Sequence, residues 1–319
     1  MRAPTFRRLA AVTAGFAFCQ IALGAVVRVS GSGLGCGNSW PLCHGHLYPD
    51  ANPESIIEYA HRTVGSLTGV LLVATVVVAW LAFRRTRPGL AWLATAAGGT
   101  IVIEGLLGGL VVFRDLASPL VLVHLAVAEA LVALLLTAAL LSLPVPAGER
   151  PPGRSYRRLT IVALGLTYVL ILTGSSVVAS SADSFCKSWP LCGGGFRFDF
   201  QGVNAFNMLH RLMAGAVGLL LLHTLSLALR RWRSVPGLGW AAGLTIVALL
   251  AQIGIGYPAA IFHDVGAVNG AHVAAATAVW LGMVATAVLA NRRYEAAEAR
   301  APAPAAPLGG KAEIGGEPA

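Results

Sequence analysis

The sequence predicts an all-α integral membrane protein whose eight transmembrane helices form two pseudo-symmetric four-helix bundles. Of the 319 residues, 56% are hydrophobic and 12% are charged, which is about half the charged fraction of a typical soluble domain. The apolar residues form eight runs, each long enough to cross a bilayer. The motifs of the first four runs return in the last four. These observations exclude a soluble globular domain.

The apolar runs set the order of the predicted helices. The first run is not expected to be a cleaved signal peptide, because it is too long and no small-residue cleavage site precedes a soluble stretch. The approximate bounds of the runs are 8–30, 61–83, 90–113, 117–143, 158–180, 208–229, 237–258 and 266–290.

Basic residues are distributed unevenly between the two ends of the runs. The net charge is +9, and most of the arginines lie at one set of alternate ends. Because cytoplasmic segments are enriched in Lys and Arg, we expect cytoplasmic termini and a multi-pass protein of the bacterial inner membrane, not a nucleic-acid-binding protein. The predicted cytoplasmic set is Arg2, Arg7, Arg8, Arg84, Arg85, Arg87, Arg150, Arg154, Arg157, Arg158, Arg230, Arg231, Arg233, Arg292 and Arg293, and the opposite set is Arg28, Arg62, Arg114, Lys187, Arg197 and Arg211.

Four residues recur at an almost constant separation of about 150 positions. Such a repeat implies two similar bundles in the same orientation, because each has four spans and begins on the same side. We expect a first half over 1–148, a second half over 149–293 and a disordered cytoplasmic tail over 294–319, which is rich in Ala, Pro and Gly. The repeated residues are Cys36 and Cys186, Cys43 and Cys192, His61 and His210, and His124 and His272.

Each half carries a Cys pair in the predicted non-cytoplasmic loop between its first two runs. Oxidising compartments favour disulfides, so we expect Cys36 to pair with Cys43 and Cys186 with Cys192. A metal site is the alternative, because two histidines follow the first pair. The second loop has no histidine, however, and neither loop has the C-x2-C spacing of zinc sites. Cys19 is expected to be a small buried residue of the first run.

Two histidines in each half lie near the non-cytoplasmic ends of apolar runs. A histidine in a lipid-embedded helix is costly and often functional, although a lone one can serve an interhelical hydrogen bond. The second and fourth helices of a bundle can face each other. His61 with His124, and His210 with His272, can therefore each hold a haem iron from both sides. The sequence predicts two haem-type sites, one in each half.

An arginine follows the first histidine of each pair. A guanidinium at this position could bind a haem propionate through a charge-assisted contact. Arg62 and Arg211 are therefore candidate propionate contacts, with anchoring at lipid headgroups as the alternative.

The halves differ in ionisable residues. At three matched positions the first half has a carboxyl group, which can exchange protons, and the second has a neutral polar residue. We infer proton-coupled chemistry in the first half and a redox cofactor in the second; drift, with the acids as packing partners, is the alternative. Glu58 is the best candidate for function because it lies one turn before His61. The pairs are Glu58 and Asn207, Glu104 and Gln252, and Glu129 and Thr277.

The motifs resemble those of the haem A synthase family, in the form that has a Cys pair in each half. The resemblance rests on "VVRVSGSGLGCGNSWPLC", "EYAHR", "GGLVV" and "VHLAVA", and on the second "WPLC", "LHR" and "AHV". It covers nearly all of residues 8–290. It implies an enzyme that oxidises the C8 methyl group of haem O to the formyl group of haem A by successive hydroxylations, for cytochrome oxidase assembly.

The resemblance also implies roles for single residues. His210 and His272 would hold the iron of a b-type haem, His61 and His124 would bind the substrate haem O, and Glu58 would be catalytic. Haem O synthase would be the functional partner. Two alternatives stay open: a bis-His electron-transfer cytochrome, and a haem-binding transporter or chaperone without chemistry. The position of all four histidines near one face argues against electron transfer across the membrane.

Overall fold

The computed structural model describes residues 2–145, 151–180, 182, 185–186, 188–262 and 266–292. Within these ranges the chain forms eight long α-helices and no strand, and every one of the eight is long and apolar enough to cross a membrane. The predicted fold class is confirmed. The predicted disordered tail, 294–319, lies outside the described residues. The helices are α1 (Arg2–Val29), α2 (Pro53–Phe83), α3 (Pro88–Phe113), α4 (Ser118–Leu141), α5 (Arg154–Ala179), α6 (Asn204–Arg231), α7 (Leu238–Ile261) and α8 (Gly266–Asn291).

Helix α2 begins about two turns before the apolar run that predicted it. The Asn52 side chain accepts a hydrogen bond from the N–H of Ser55 (2.8 Å), and Pro53 occupies the first turn. Both features favour a helix start. His61 therefore lies inside α2, about two turns from its beginning.

Each half is a closed ring of four helices. In the first half α1 contacts α2, α2 contacts α3, α3 contacts α4, and α4 returns to α1. The same order, from α5 to α8 and back to α5, holds in the second half. Consequently α2 and α4 are diagonal partners, as are α6 and α8. The helices of each pair face one another across the interior of their bundle.

The two rings meet through α1, α4, α5 and α8. A hydrophobic cluster at this junction contains Ile21, Leu72 and Leu135 from the first half and Trp280 and Val284 from the second. Burial of such side chains contributes about 1.5–3 kcal/mol each in water, but within a bilayer the same contact is stabilised by close packing.

Disulfides close the loops that follow α1 and α5. The sulfur atoms of Cys36 and Cys43 are 2.04 Å apart, and those of Cys186 and Cys192 are 2.16 Å apart, so the predicted pairing is confirmed. We call the end of the molecule that carries these two loops the Cys-loop end. The prediction that Cys19 is buried was wrong, because its side chain is exposed on α1. An apolar sequence does not distinguish a lipid-facing position from a core position.

Candidate functional site

The four repeated histidines lie on diagonal partners of the two rings. His61 is on α2 and His124 on α4, whereas His210 is on α6 and His272 on α8. Within each half the two histidines therefore lie on helices that face each other across the bundle. The structure thus brings together both of the histidine pairs that the sequence predicts.

A glycine of a neighbouring helix lies against each of these imidazole rings. A Cβ atom built on Gly24 would stand 3.1 Å from Cε1 of His61, and the corresponding distance from Gly174 to His210 is 2.9 Å. For His124 and His272, the same contact is made by Gly108 (3.5 Å) and Gly256 (3.2 Å). A side chain at the three closest positions would push on the imidazole. The glycines therefore let each ring lie close to the neighbouring backbone.

Sequence reasoning gave these glycines no role, although Gly108 begins the quoted motif GGLVV. Gly24 and Gly174 are separated by the same interval as Cys36 and Cys186, and Gly108 and Gly256 by the same interval as His124 and His272. Glycine is common in transmembrane helices, so a repeated glycine attracts attention only once the ring beside it is known.

A polar side chain one turn before the glycine contacts the imidazole in three of the four cases. Gln20 Nε2 and Gln252 Nε2 each lie 3.2 Å from Nε2 of their histidine, His61 and His272. Glu104 Oε2 lies 2.8 Å from Nδ1 of His124, within ion-pair distance but not aligned for a hydrogen bond.

The fourth imidazole has a different partner. The position one turn before Gly174 is Leu170, which has no polar group. The hydroxyl of Thr173 instead lies 3.0 Å from Nδ1 of His210. Thus all four imidazoles have a polar neighbour at one ring nitrogen.

The donor set fits a haem in each bundle. Nδ1 of His61 and Nδ1 of His272 are buried and have no hydrogen-bond partner among the described residues. Buried polar atoms without partners are rare because they are costly. Imidazole nitrogen is a common axial ligand of haem iron. Two imidazoles facing each other from diagonal helices can supply both axial ligands.

The side chain of Glu58, on α2, contacts the first Cys loop. The residue is 3% exposed, and its Oε2 accepts a hydrogen bond from the N–H of Cys36 (2.8 Å). Its Oε1 pairs with the guanidinium of Arg62, one turn further along α2. The other terminal nitrogen of Arg62 donates to the carbonyl oxygens of Ser39 (2.8 Å) and Leu42 (2.7 Å).

The second half builds the same brace without a carboxylate. The guanidinium of Arg211 donates to the carbonyl oxygens of Ser188 (2.5 Å) and Pro190 (3.3 Å). Asn207, which matches Glu58, donates from Nδ2 to the carbonyl oxygen of Ala182 (2.5 Å). Both arginines therefore contact the loops, and their contact with propionates stays a prediction.

Residues 7–284 match the model of the COX15–CtaA family, described as cytochrome oxidase assembly proteins. The chain belongs to this family. A protein of Shouchella clausii named "Heme A synthase" is 31% identical over 81% of this chain and 87% of its own length. Proteins of the same name from Alkalihalophilus pseudofirmus and Symbiobacterium thermophilum are 33% and 34% identical, over 72% and 73% of this chain and 78% of each relative. The resemblance noted in the sequence is confirmed.

In this member of the COX15–CtaA family, one acid lies at the junction between the halves. The hydroxyl of Thr277 donates to Oε1 of Glu129 (2.6 Å), and the indole N–H of Trp280 donates to the backbone carbonyl of Glu129 (2.9 Å). Glu129 and Thr277 occupy matched positions of the repeat, so their contact places them near the pseudo-two-fold axis. Glu129 therefore joins the halves.

Proposed function

We propose that the protein is a haem A synthase, which oxidises the C8 methyl group of haem O to the formyl group of haem A by successive hydroxylations, for cytochrome oxidase assembly. The observation that carries this proposal is the pair of diagonal histidine arrangements, each with a glycine beside every imidazole. Membership of the COX15–CtaA family and the name of the relatives support it.

The two bundles are proposed to divide the work. The second half, residues 149–293, would hold a b-type haem as cofactor through His210 and His272. The first half, residues 1–148, would bind the substrate haem O through His61 and His124. This assignment is supported by the acids. In the second half, Thr173 and Gln252 contact the two imidazoles with neutral polar groups. In the first half, Glu104 lies against His124, and Glu58 lies one turn before His61.

Glu58 is proposed to hold and transfer protons at its carboxyl group during the oxidation. Conversion of a methyl carbon to a formyl carbon adds one oxygen atom, passes four electrons to an external electron acceptor and releases protons, so a group that exchanges protons would assist it. Glu58 is buried and lies one turn before His61. Its hydrogen bond to the Cys36 N–H fixes one carboxyl oxygen, and Arg62 fixes the other. Bound haem supplies the redox chemistry of its iron.

The first Cys loop is proposed to shield the first-half site from water. The indole of Trp40 lies against α3, since a Cβ atom built on Gly109 would be 3.0 Å from the ring. Gly109 directly follows Gly108, which contacts His124. The loop therefore covers the bundle beside His124, the proposed ligand of the substrate haem. Excluding water there would limit side reactions.

The protein is proposed to lie in the bacterial cell membrane with both termini in the cytoplasm, and to receive its substrate from a haem O synthase. The uneven distribution of arginines supports this orientation. Reporter fusions after Cys43 and after Cys192 should both report the non-cytoplasmic side. A cytoplasmic signal from either fusion would contradict the orientation.

The test of the enzyme proposal is co-expression of the full chain with a haem O synthase in a host that makes no haem A. Extracted haems are separated by chromatography and normalised to the amount of protein. We expect haem A, together with the hydroxylated precursor. A His61→Ala variant is the matched control and should yield neither. If the wild-type chain yields only haem B and haem O, the enzyme proposal is wrong, and a haem carrier or an electron-transfer cytochrome is favoured.

A further inference from the structure

Two arginines at the Cys-loop end of the first half have no side-chain partner among the residues that the structure describes. The guanidinium groups of Arg62 and Arg211 are used by the Cys loops. By contrast, neither Arg28 nor Arg114 makes a side-chain hydrogen bond or ion pair with the described part of the chain. A guanidinium presents five donors in a planar fork that suits a carboxylate or a phosphate. These two groups are therefore available to an anionic ligand.

Arg28 lies on the face of α1 that contacts His61. Gln20 and Gly24 contact the imidazole, and Arg28 follows them at the same four-residue interval. Residues spaced in this way share one face of a helix. Arg28 is in the last turn of α1 and is exposed. It therefore lies about one turn from the His61 contact, toward the Cys-loop end.

Arg114 lies beside the helix that carries His124. It caps the end of α3 and, together with Leu110, Ala117 and Leu120, lines an open cleft of about 470 Å³. Leu120 precedes His124 by one turn of α4. The cleft thus combines an apolar wall with a single positive charge. It lies at the Cys-loop end of α4, the helix that carries His124.

The second half has no arginine at either position. By the spacing of the repeat, Arg28 corresponds to Val178 and Arg114 to Phe262. Both apolar side chains are exposed, by 40% and 55% respectively. Of the two halves, only the first therefore carries arginines at these two positions.

We propose that Arg28 and Arg114, in place of the loop-bound Arg62, bind the two propionate carboxylates of the haem that occupies the first half. This proposal rests on the assignment of the first half to the substrate haem. Helix α4, which carries His124, contacts both α1 and α3, so the two arginines flank its first turns. One arginine on each side matches a ligand with two carboxylates.

The test is a binding titration with ferric protoporphyrin and with its dimethyl ester, followed by the Soret difference spectrum. The full-length protein carries its resident haem and is purified in neutral detergent. The titration of the His61→Ala variant measures binding outside the first-half site, and this background is subtracted. Arg28→Gln and Arg114→Gln should each weaken binding of the free acid about tenfold, the effect of one lost charge-assisted hydrogen bond. Binding of the dimethyl ester should change little in either variant.

The matched control is Arg197→Gln, which removes an exposed arginine from the second Cys loop and should leave both titrations unchanged. Equal loss of acid and ester binding would overturn the proposal, because the arginines would then act through structure. If binding of the free acid and of the dimethyl ester were both unchanged, the proposal would also be overturned. The two arginines would then be assigned to binding lipid phosphates. Haem A formation is measured separately in the same variants. A protein that forms haem A but ignores these substitutions would retain its proposed function and lose only this assignment.

Discussion

Position 58 of the first half and position 207 of the second show how one scaffold supports two different sites. The carboxylate of Glu58 accepts hydrogen bonds from the Cys36 N–H and from Arg62, whereas the amide of Asn207 donates to the carbonyl oxygen of Ala182. Both side chains are buried and both brace a disulfide loop. Only Glu58 can exchange protons. The comparison teaches that the scaffold is repeated while the chemistry that it can support is not.

A second contrast concerns the neighbours of the histidines. In the first half His124 has the carboxylate of Glu104 beside it, whereas the matching His272 has the neutral amide of Gln252. A charged neighbour changes the electron density of an imidazole ligand. The two pairs should therefore tune a bound haem differently even though their backbone positions match.

Replacement of the histidines is expected to give the largest difference between the two halves. His210→Ala or His272→Ala should abolish the b-type spectrum of the resting protein, because the iron loses an axial ligand. His61→Ala and His124→Ala should leave that spectrum largely intact and abolish haem A formation. Optical spectra of purified protein, normalised to protein concentration, measure the difference. Loss of the resting haem from the first-half variants would show that the halves are assigned the wrong way round.

Substitution at Glu58 sharpens the comparison next. Glu58→Gln keeps the size of the side chain but removes its titration, so we expect haem A formation to fall roughly 10²-fold, as for a lost general acid–base. Resident haem content should remain normal. The measurement is haem chromatography after co-expression with haem O synthase. A normal haem A yield would leave Glu58 as a loop brace alone, and Asn207→Gln is the control in the other half.

The glycines test whether the close approach of ring and helix matters. Gly174→Ala should lower the affinity for the resident haem about tenfold, the scale of a disturbed ligand environment, because its Cβ would lie 2.9 Å from Cε1 of His210. Gly165→Ala is the matched control, since nothing lies within 4 Å of a Cβ at that position on the same helix. Haem content after dialysis against apomyoglobin measures the difference. Equal haem loss in the two variants would mean that the loss comes from a change in the helix itself and not from the contact with the His210 ring.

The smallest expected effect concerns the junction between the halves. Thr277→Val removes the hydroxyl that donates to Glu129 and should destabilise the protein by about 1 kcal/mol, a typical value for an interhelical hydrogen bond in a membrane. Thermal unfolding in detergent measures the change. The double variant with Glu129→Gln gives the coupling between the two side chains. A coupling of zero would show that the contact does not hold the halves together.

The sequence was sufficient for the eight helices, because an apolar run of bilayer length has few other structures available. It also indicated the four histidines, because their intervals repeat. It did not indicate where α2 begins, since the helix extends beyond the apolar run under the control of Asn52 and Pro53. Hydropathy reports the part of a helix that lies in lipid, and not its polar extension.

The other features that the sequence did not predict are tertiary contacts. Nothing in the order of residues indicates that Arg62 would donate to the carbonyl oxygens of a loop about twenty positions earlier. The contact of Glu129 with Thr277 spans 148 positions. Such contacts depend on how the helices and loops come together in space, and a single sequence gives only the residue types.

The contact between Glu129 and Thr277 has a consequence for the covalent link between the halves. A symmetric dimer made from one half would place each residue on its two-fold axis against its own copy. Glu129 would then meet a second Glu129, with two carboxyl groups buried in one place, and Thr277 would meet another Thr277. An acid can be set against a hydroxyl at this position only if the two halves differ, and the single chain supplies two halves that do. A pair of identical bundles therefore cannot reproduce the junction of the fused protein, however well its helices pack.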